Sequence, residues 1–198
     1  MATWPPDLDK TPTSYAAAAD SQRVGSFSGL LEKAKQWFDE NWDIETLSNN
    51  PEPTSASNET CVVQLGEIEG RRILLTGDAG PAALNEAADY AEARGMLLPP
   101  PQFVRVPHHG SRRNVTPAVL DRWLGPKMGN GQSYGTAYCS IGDSQTDYPR
   151  GQVKNAFLRR GYPVHVTRGV AKSHYYGCDG RPGWIASTPE PLEARVDG

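Results

Sequence analysis

The sequence predicts an α/β layered fold, in which a mixed β-sheet carries helices on its outer face. Two observations lead to this prediction. Between residues 58 and 177, short apolar runs of strand length alternate with segments of helical periodicity. Glycine and proline residues fall between these segments, where they mark turns and helix ends. The predicted order of elements is β-β-α-β-α-β-α-β-β, which fits a sheet covered by helices.

The predicted strands are short apolar runs bounded by turn residues. The first two are separated by Glu69-Gly70, a dipeptide that favours the tight turn of a hairpin. The strands are expected at residues 61–65, 72–76, 103–106, 137–141 and 164–167, with one more at 172–176.

Proline and glycine also place the helices. Proline is favoured in the first turn of a helix, and glycine is favoured just after its end. The predicted helices run from Pro81 to Gly95, from Pro117 to Gly125 and from Pro149 to Gly161.

Composition divides the chain into three zones. Residues 1–57 are predicted to be an N-terminal arm with one amphipathic helix, and residues 47–58 within it are predicted to be an exposed loop. Residues 58–179 carry the alternating elements, and residues 180–198 are expected to be a loose tail. Ser28 is expected to cap the arm's helix, which would run to about Trp42. Its apolar stripe would consist of Leu30, Leu31, Ala34, Trp37 and Phe38.

Charge and composition exclude several classes of protein. The net charge of −3 gives no overall basic field for nucleic acid or anionic membranes. No apolar run approaches the length of a membrane span, and the N-terminus does not resemble a signal peptide. Cys61, Cys139 and Cys178 are odd in number and widely spaced, which argues against a disulfide scaffold. We therefore expect a cytoplasmic protein that has no membrane partner.

Asp78 is the first candidate for a chemical role. It follows a predicted buried strand directly, and Gly77 before it allows the backbone to turn sharply. Strand ends of this kind present carboxylates to clefts. The alternative is structural, because Asp78 also lies two residues before Gly80 and could cap the next helix.

The pair His108-His109 is the second candidate. It also follows a predicted strand, and Gly110 comes next. Imidazole is the commonest neutral metal ligand in proteins. Adjacent histidines point in different directions, so at most one of the two is expected to bind a given ion. The alternative interpretation is that both have structural roles.

Taken in order, these motifs resemble the metallo-β-lactamase superfamily. They are the segment Leu74-Leu75-Thr76-Gly77-Asp78, a helix, and a strand followed by Pro107-His108-His109-Gly110-Ser111. The resemblance covers about residues 54–168. It is nearest to the hydrolase domain of competence DNA-uptake channel proteins. It implies that this chain forms the C-terminal half of an αββα sandwich.

The resemblance implies roles for particular residues. Asp78 matches an aspartate that bridges two metal ions, and His109 matches the histidine that binds the second ion. His108 would then lie behind the ligands or near the substrate. Asn58 resembles the asparagine of an Asn-x-Ser or Asn-x-Thr segment of these proteins, which would face the cleft; the alternative is an asparagine in a turn. The ions expected in the complete fold are two divalent cations, zinc or manganese.

The family's main ligand cluster, His-x-His-x-Asp-His, has no counterpart here, because no histidine precedes His108. The resemblance therefore implies a metal-dependent hydrolase of a phosphodiester or related ester whose first set of ligands lies outside this chain. An N-terminal half-domain or a protein partner would supply that set. Whether this chain binds metal by itself stays open. The alternative is a degenerate half-fold that serves as a non-catalytic interaction module.

Basic residues give a weaker indication of the substrate. Ser111, Arg112 and Arg113 follow the histidine pair and are candidates to bind a phosphate of nucleic acid or of another phosphodiester. Arg159 and Arg160 fall on the last predicted helix. The alternative for all of these arginines is a solvated position on the surface.

Overall fold

The computed structural model describes residues 37–197. The bounds of the elements follow in chain order. They are β1 (Trp37–Asp39), α1 (Ala56–Glu59), β2 (Gln64–Ile68), β3 (Arg71–Leu75), α2 (Pro81–Ala93), β4 (Phe103–Arg105), a 3-10 turn (Pro107–Gly110), α3 (Pro117–Leu124), β5 (Thr136–Cys139), α4 (Gly151–Arg159), β6 (Val164–Val166) and β7 (Arg195–Asp197).

A five-stranded mixed sheet organises the described residues, and its order is β2-β3-β4-β5-β6. The pair β2–β3 is antiparallel, and each later pair is parallel. Parallel neighbours need a crossover connection, and α2, α3 and α4 provide one each. The carboxyl ends of β3 and β4 therefore meet at one edge of the sheet, as do the loops that follow them. The α/β layered fold predicted from the sequence is confirmed.

Local signals placed most of these elements correctly. Glu69 and Gly70 both have positive φ angles, 49° and 74°, as a two-residue hairpin turn requires. Helix α2 begins at Pro81, and α3 begins at Pro117. The Thr116 hydroxyl accepts the amide hydrogen of Val119, which caps α3.

One row of side chains across the sheet forms the centre of the core. Leu74, Val104, Ala137 and Val164 are partners in register on adjacent strands, and each is at most 1% exposed. The apolar faces of α2, α3 and α4 pack on this row within one hydrophobic cluster. Burying side chains of this size stabilises a fold by about 1.5–3 kcal/mol each. The helices therefore cover this face of the sheet.

The opposite face of the sheet carries aromatic residues. Phe103, Tyr138 and His165 lie on β4, β5 and β6, next to the buried row. The ring centroids of Phe103 and Tyr138 are 5.4 Å apart, and those of Tyr138 and His165 are 5.3 Å apart. No helix covers this face among residues 37–197. Residues 170–188 pass over part of it.

Strand β1 corrects the prediction for the arm. Residues 37–39 form a strand that pairs with β7, whereas the sequence predicted a helix to about Trp42. Phe38 lies opposite the buried Val196 in this strand pair, which accounts for its apolar side chain without a helix. The earlier part of the predicted helix, including Ser28, lies outside the described residues. The tail prediction for residues 180–198 is wrong at 195–197, because these residues form β7.

Two further predictions are corrected. Residues 47–58 are not entirely an exposed loop, because Leu47 is buried in the core and α1 forms at 56–59. Residues 172–176 form no strand. They lie over the aromatic face, where Tyr138 donates a hydrogen bond to the carbonyl of Ser173.

Buried ion pairs join the N-terminal part of the described residues to the end of α4. Arg159 pairs with Glu40 across 3.0 Å, and both side chains are fully buried. Arg160, also fully buried, pairs with Glu45 at 3.0 Å and with Asp121 at 2.8 Å. The alternative of a solvated surface position is therefore wrong for Arg159 and Arg160. No local pattern indicates their burial, because their partners lie far away in the sequence.

Burial gives His165 a measurable pH signature. Desolvation lowers the pKa of His165 below its usual 6.5, and the charge of Lys172 lowers it further. Below pH 6.5 the imidazole of His165 therefore binds a proton more readily in the unfolded chain than in the folded chain. The free energy of unfolding therefore decreases as the pH is lowered through that range. We expect His165→Phe to make the decline in unfolding free energy between neutral and acidic pH shallower.

Chemical denaturation at several pH values measures this slope. Tyr138→Phe is the control, because it changes no group that titrates in this range. A slope for His165→Phe equal to that of the parent chain would contradict the assignment.

Within residues 37–197, no helix combines the length and apolar character needed to cross a membrane.

Candidate functional site

Asp78 and His108 come together at the carboxyl edge of the sheet. Asp78 follows β3 after a turn at Gly77, where φ is 55°. His108 lies in the 3-10 turn that follows β4. The amide of His108 donates to the carbonyl oxygen of Gly77 at 3.1 Å, which ties the two loops together. Functional groups often occupy loops at this edge of parallel sheets.

The two histidines have an unusual backbone. His108 and His109 have φ angles of 43° and 57°, in the left-handed region that residues other than glycine rarely adopt. Hydrogen bonds hold this turn from both sides. The amide of Ser111 donates to the carbonyl of His108, and the amide of Arg150 donates to the carbonyl of Gly110, each at 3.0 Å. Strain that is held in this way is typical of functional sites.

His108, rather than His109, is the histidine that faces Asp78. Its Nδ1 lies 3.6 Å from Asp78 Oδ2, and both side chains are partly exposed. This nitrogen is buried and has no hydrogen-bond partner among the described residues. His109 Nδ1 contacts the carbonyl oxygen of Ser140, so only its Nε2 is left for another ligand. A carbonyl contact of this kind commonly orients metal-binding histidines.

Asp78 does not cap α2. The residue before the first turn is Gly80, which has no side chain, and the cap comes from α1. Glu59 Oε2 accepts the amide hydrogen of Ala83 at 2.7 Å, at the positive end of the helix. The Asp78 carboxylate therefore takes no part in this cap and lies partly exposed beside His108. Asn114 fixes its loop by donating to the carbonyl oxygens of Asp78 and Ala79.

A basic cleft of about 480 Å³ lies beside this pair. All four residues that the sequence suggested for substrate binding line it, namely Asn58, Ser111, Arg112 and Arg113. Among the described residues that line the cleft, none carries a carboxylate. The cleft therefore suits an anionic group.

Tyr148 and Arg150 also line this cleft, and the sequence did not indicate either residue as part of it. The Arg150 guanidinium lies 5.1 Å from the centre of the Tyr148 ring, and it pairs with Asp197 of β7 at 2.5 Å. Tyr148 directly precedes Pro149, the start of the last predicted helix, and this position was its only indication in the sequence. Arg150 reaches the cleft because its own amide is bonded to Gly110, as described above.

The described residues do not form a complete metal centre. A catalytic zinc is held by three protein ligands and a water. Residues 37–197 contain no group of three or more histidine, cysteine, aspartate or glutamate side chains arranged to hold a metal ion. Asp78 and His108 supply two suitable donors. The pair fits one side of a metal site and does not fit a complete one.

Comparisons with protein-family models, curated proteins and solved structures find no match to this chain. The assignment of its function therefore depends on the site itself.

Proposed function

We propose that this chain supplies part of the active site of a metal-dependent hydrolase of the metallo-β-lactamase superfamily. A phosphodiester or a related ester is the proposed substrate. The observation that carries the proposal is the pair at the sheet edge. The buried Nδ1 of His108 has no hydrogen-bond partner within residues 37–197 and lies 3.6 Å from a carboxylate oxygen of Asp78.

An unpartnered buried nitrogen costs about 1–3 kcal/mol, so its presence calls for a ligand that satisfies it. Carboxylate and imidazole are both ligands of zinc and manganese. A cation between the two side chains would satisfy both of them. His109 is the further donor available next to this pair, through its Nε2.

The remaining ligands would come from outside residues 37–197. We propose that an N-terminal half-domain or a protein partner carrying a His-x-His-x-Asp-His cluster supplies them. The complete site would then hold two divalent ions, which would lower the pKa of a water molecule at the site. Besides its own donor side chains, the chain would contribute their positioning, because Asn114 fixes the Asp78 loop and Ser140 contacts Nδ1 of His109.

The basic cleft supports a phosphodiester of nucleic acid or of a smaller molecule as the substrate. Arg112, Arg113 and Arg150 line it, and the Arg150 guanidinium is paired with Asp197. Guanidinium matches the geometry of phosphate through paired hydrogen bonds. Hydrolysis would consume one water for each ester bond and release an acid and an alcohol.

A non-catalytic interaction module is the second candidate. Two observations favour it. The described residues hold no set of three metal donors, and the edge strand β2 exposes Ile68 to solvent at 62%. An unpaired edge with an apolar side chain is a ready surface for another chain.

We also propose that the protein works in a reducing compartment, the cytoplasm. Cys61, Cys139 and Cys178 are all free thiols in the structure. Unpaired cysteines of this kind are typical of cytoplasmic proteins.

Calorimetric titration of the chain with Zn²⁺ and Mn²⁺ tests the metal site. We expect weak binding by the chain alone, because the donor set is incomplete. Asp78→Asn and His108→Gln should each weaken Zn²⁺ binding by about tenfold or more, because each removes a proposed ligand. Even the loss of a residue that only orients a ligand weakens metal binding by about tenfold or more. His174→Gln is the matched control, since His174 lies on the aromatic face of the sheet, away from the pair.

Several outcomes separate the two candidate functions. Equal affinities in Asp78→Asn and His174→Gln would reject the assignment of the site. Two equivalents of tightly bound metal would reject the non-catalytic module. No metal uptake, with or without an added half-domain that carries the cluster, would reject the hydrolase. Release of nitrophenol from bis(p-nitrophenyl) phosphate by the metal-loaded complex would support it.

A further inference from the structure

A second cavity lies on the aromatic face of the sheet, opposite the helices. Its floor is formed by Thr136 and Tyr138 of β5 and by His165 of β6. The Tyr138 and His165 rings are nearly parallel, with 19° between their planes. Residues 170–175 and 183–188 form its walls, and its volume is about 880 Å³. Ligand pockets in proteins commonly span about 300–1,000 Å³.

The chemistry of the lining falls into three kinds. Trp184 offers an aromatic ring, with the Arg181 guanidinium 4.8 Å from its centre, and Ser187 and Thr188 offer hydroxyl groups. Tyr138 already stacks with Phe103 and His165 on the floor. The Ser187 hydroxyl lies 3.0 Å from Nδ1 of His165 and so fixes the orientation of that ring. Apolar residues at the wall are unusually open to solvent, including Ile185 at 95%. Contiguous patches of exposed apolar surface often mark binding sites.

Lys172 gives the cavity its charge. Among the described residues that line the cavity, it is the only one with a formal charge at neutral pH. Burial and Lys172 both lower the pKa of His165, so that imidazole is neutral at pH 7 and free to stack. The cavity therefore combines flat neutral aromatic surface with one cation.

We propose that this cavity binds a planar aromatic anion, and specifically a purine mononucleotide. The base would lie against the Trp184 ring, the sugar would meet the hydroxyl groups, and the phosphate would pair with Lys172. A nucleotide uses the aromatic ring, the hydroxyl groups and the cation, whereas an aromatic carboxylate has no sugar for Ser187 and Thr188. Stacking on aromatic side chains is tolerant of the particular base. This site stands independently of the proposed hydrolase site.

Fluorescence and calorimetric titrations of the full chain with adenosine monophosphate test the proposal. Adenosine and inorganic phosphate should each bind at least about tenfold more weakly, because each lacks one half of the recognised chemistry. Trp184→Ala should weaken nucleotide binding by about tenfold through lost stacking. Lys172→Gln should weaken it by a similar factor and leave adenosine binding unchanged.

Matched controls keep the test specific. Trp37→Ala and Arg94→Gln remove an indole and a positive charge outside the cavity and should leave nucleotide affinity unchanged. Asp78→Asn should also leave it unchanged. Circular dichroism checks that every variant folds.

Four results would overturn the proposal. The first is no binding of adenosine monophosphate at millimolar concentration, and the second is an affinity insensitive to Trp184→Ala and Lys172→Gln. The third is tighter binding of 1-naphthoate, which would assign the cavity to aromatic carboxylates. The fourth is loss of binding in Asp78→Asn with retention in Lys172→Gln, which would place the nucleotide at the other site.

Discussion

Replacement of Arg159 by alanine is expected to lower the free energy of unfolding by about 3–5 kcal/mol, because the buried Glu40 would lose its cationic partner. Glu40 Oε2 accepts from both Arg159 and Asn155, and its Oε1 accepts from the amide and hydroxyl of Thr46. With Arg159 removed, a carboxylate would stay in the interior with no counter-charge in contact. The loop that carries residues 40–46 would lose its ion pair with α4 and keep the bond from Asn155 to Glu40.

Urea denaturation of the purified variant measures this loss. Arg122→Ala is the control, since Arg122 pairs with Asp89 and Glu92 at the surface and its loss should cost about 1 kcal/mol or less. The double variant of Glu40→Leu and Arg159→Met should recover part of this loss, because no buried charge is then left unpaired, while the carbonyl oxygens of Asn41 and Ile44 lose their donor. A loss in Arg159→Ala no larger than that in Arg122→Ala would refute the account.

Replacement of Gly110 by alanine is expected to cost about 2–5 kcal/mol and to displace the histidine turn. Gly110 has φ of 82°, and an added Cβ would lie 2.4 Å from the Cβ of Pro149. The positive φ angle costs about 1–2 kcal/mol in a residue with a side chain. The collision adds about 1–3 kcal/mol, as overpacking does. Because His108 and His109 lie in the same turn, the variant should also lose the Zn²⁺ binding of the parent chain.

Gly95→Ala separates the two contributions. Gly95 has φ of 72° and no atom within 4 Å of the added Cβ, so it reports backbone strain alone. Thermal unfolding should show a loss of about 1–2 kcal/mol for Gly95→Ala. The further loss in Gly110→Ala then measures the contact with Pro149. Equal losses in the two variants would mean that this contact is not tight.

The middle of the fold was predictable because its signals are local. Alternating apolar runs, the Glu69-Gly70 turn and the prolines that begin α2 and α3 each act within a few residues. The segments at 37–47 and 195–197 were not predictable in this way. Their positions depend on Glu40 meeting Arg159 and on Phe38 lying opposite Val196, contacts between residues that are far apart in the sequence.

The site shows the same division. The order of the motifs was enough to bring Asp78 and the histidine pair to one edge of the sheet. It was not enough to say which histidine faces Asp78, because that depends on the left-handed backbone of both histidines. Arg150 was missed as a member of the cleft because a long-range bond to Gly110 holds it there.

The pairing of β1 with β7 also determines how the protein responds to mechanical force. Trp37 lies opposite Asp197, and the register then runs inward to Asp39 opposite Arg195. A pull applied through residues 37 and 197 therefore loads the cross-strand bonds one after another, as in unzipping. Each bond breaks under the full load before the next one shares it. Unfolding machinery that pulls on either end would therefore separate β1 from β7 at low force and expose the buried charged side chains of α4.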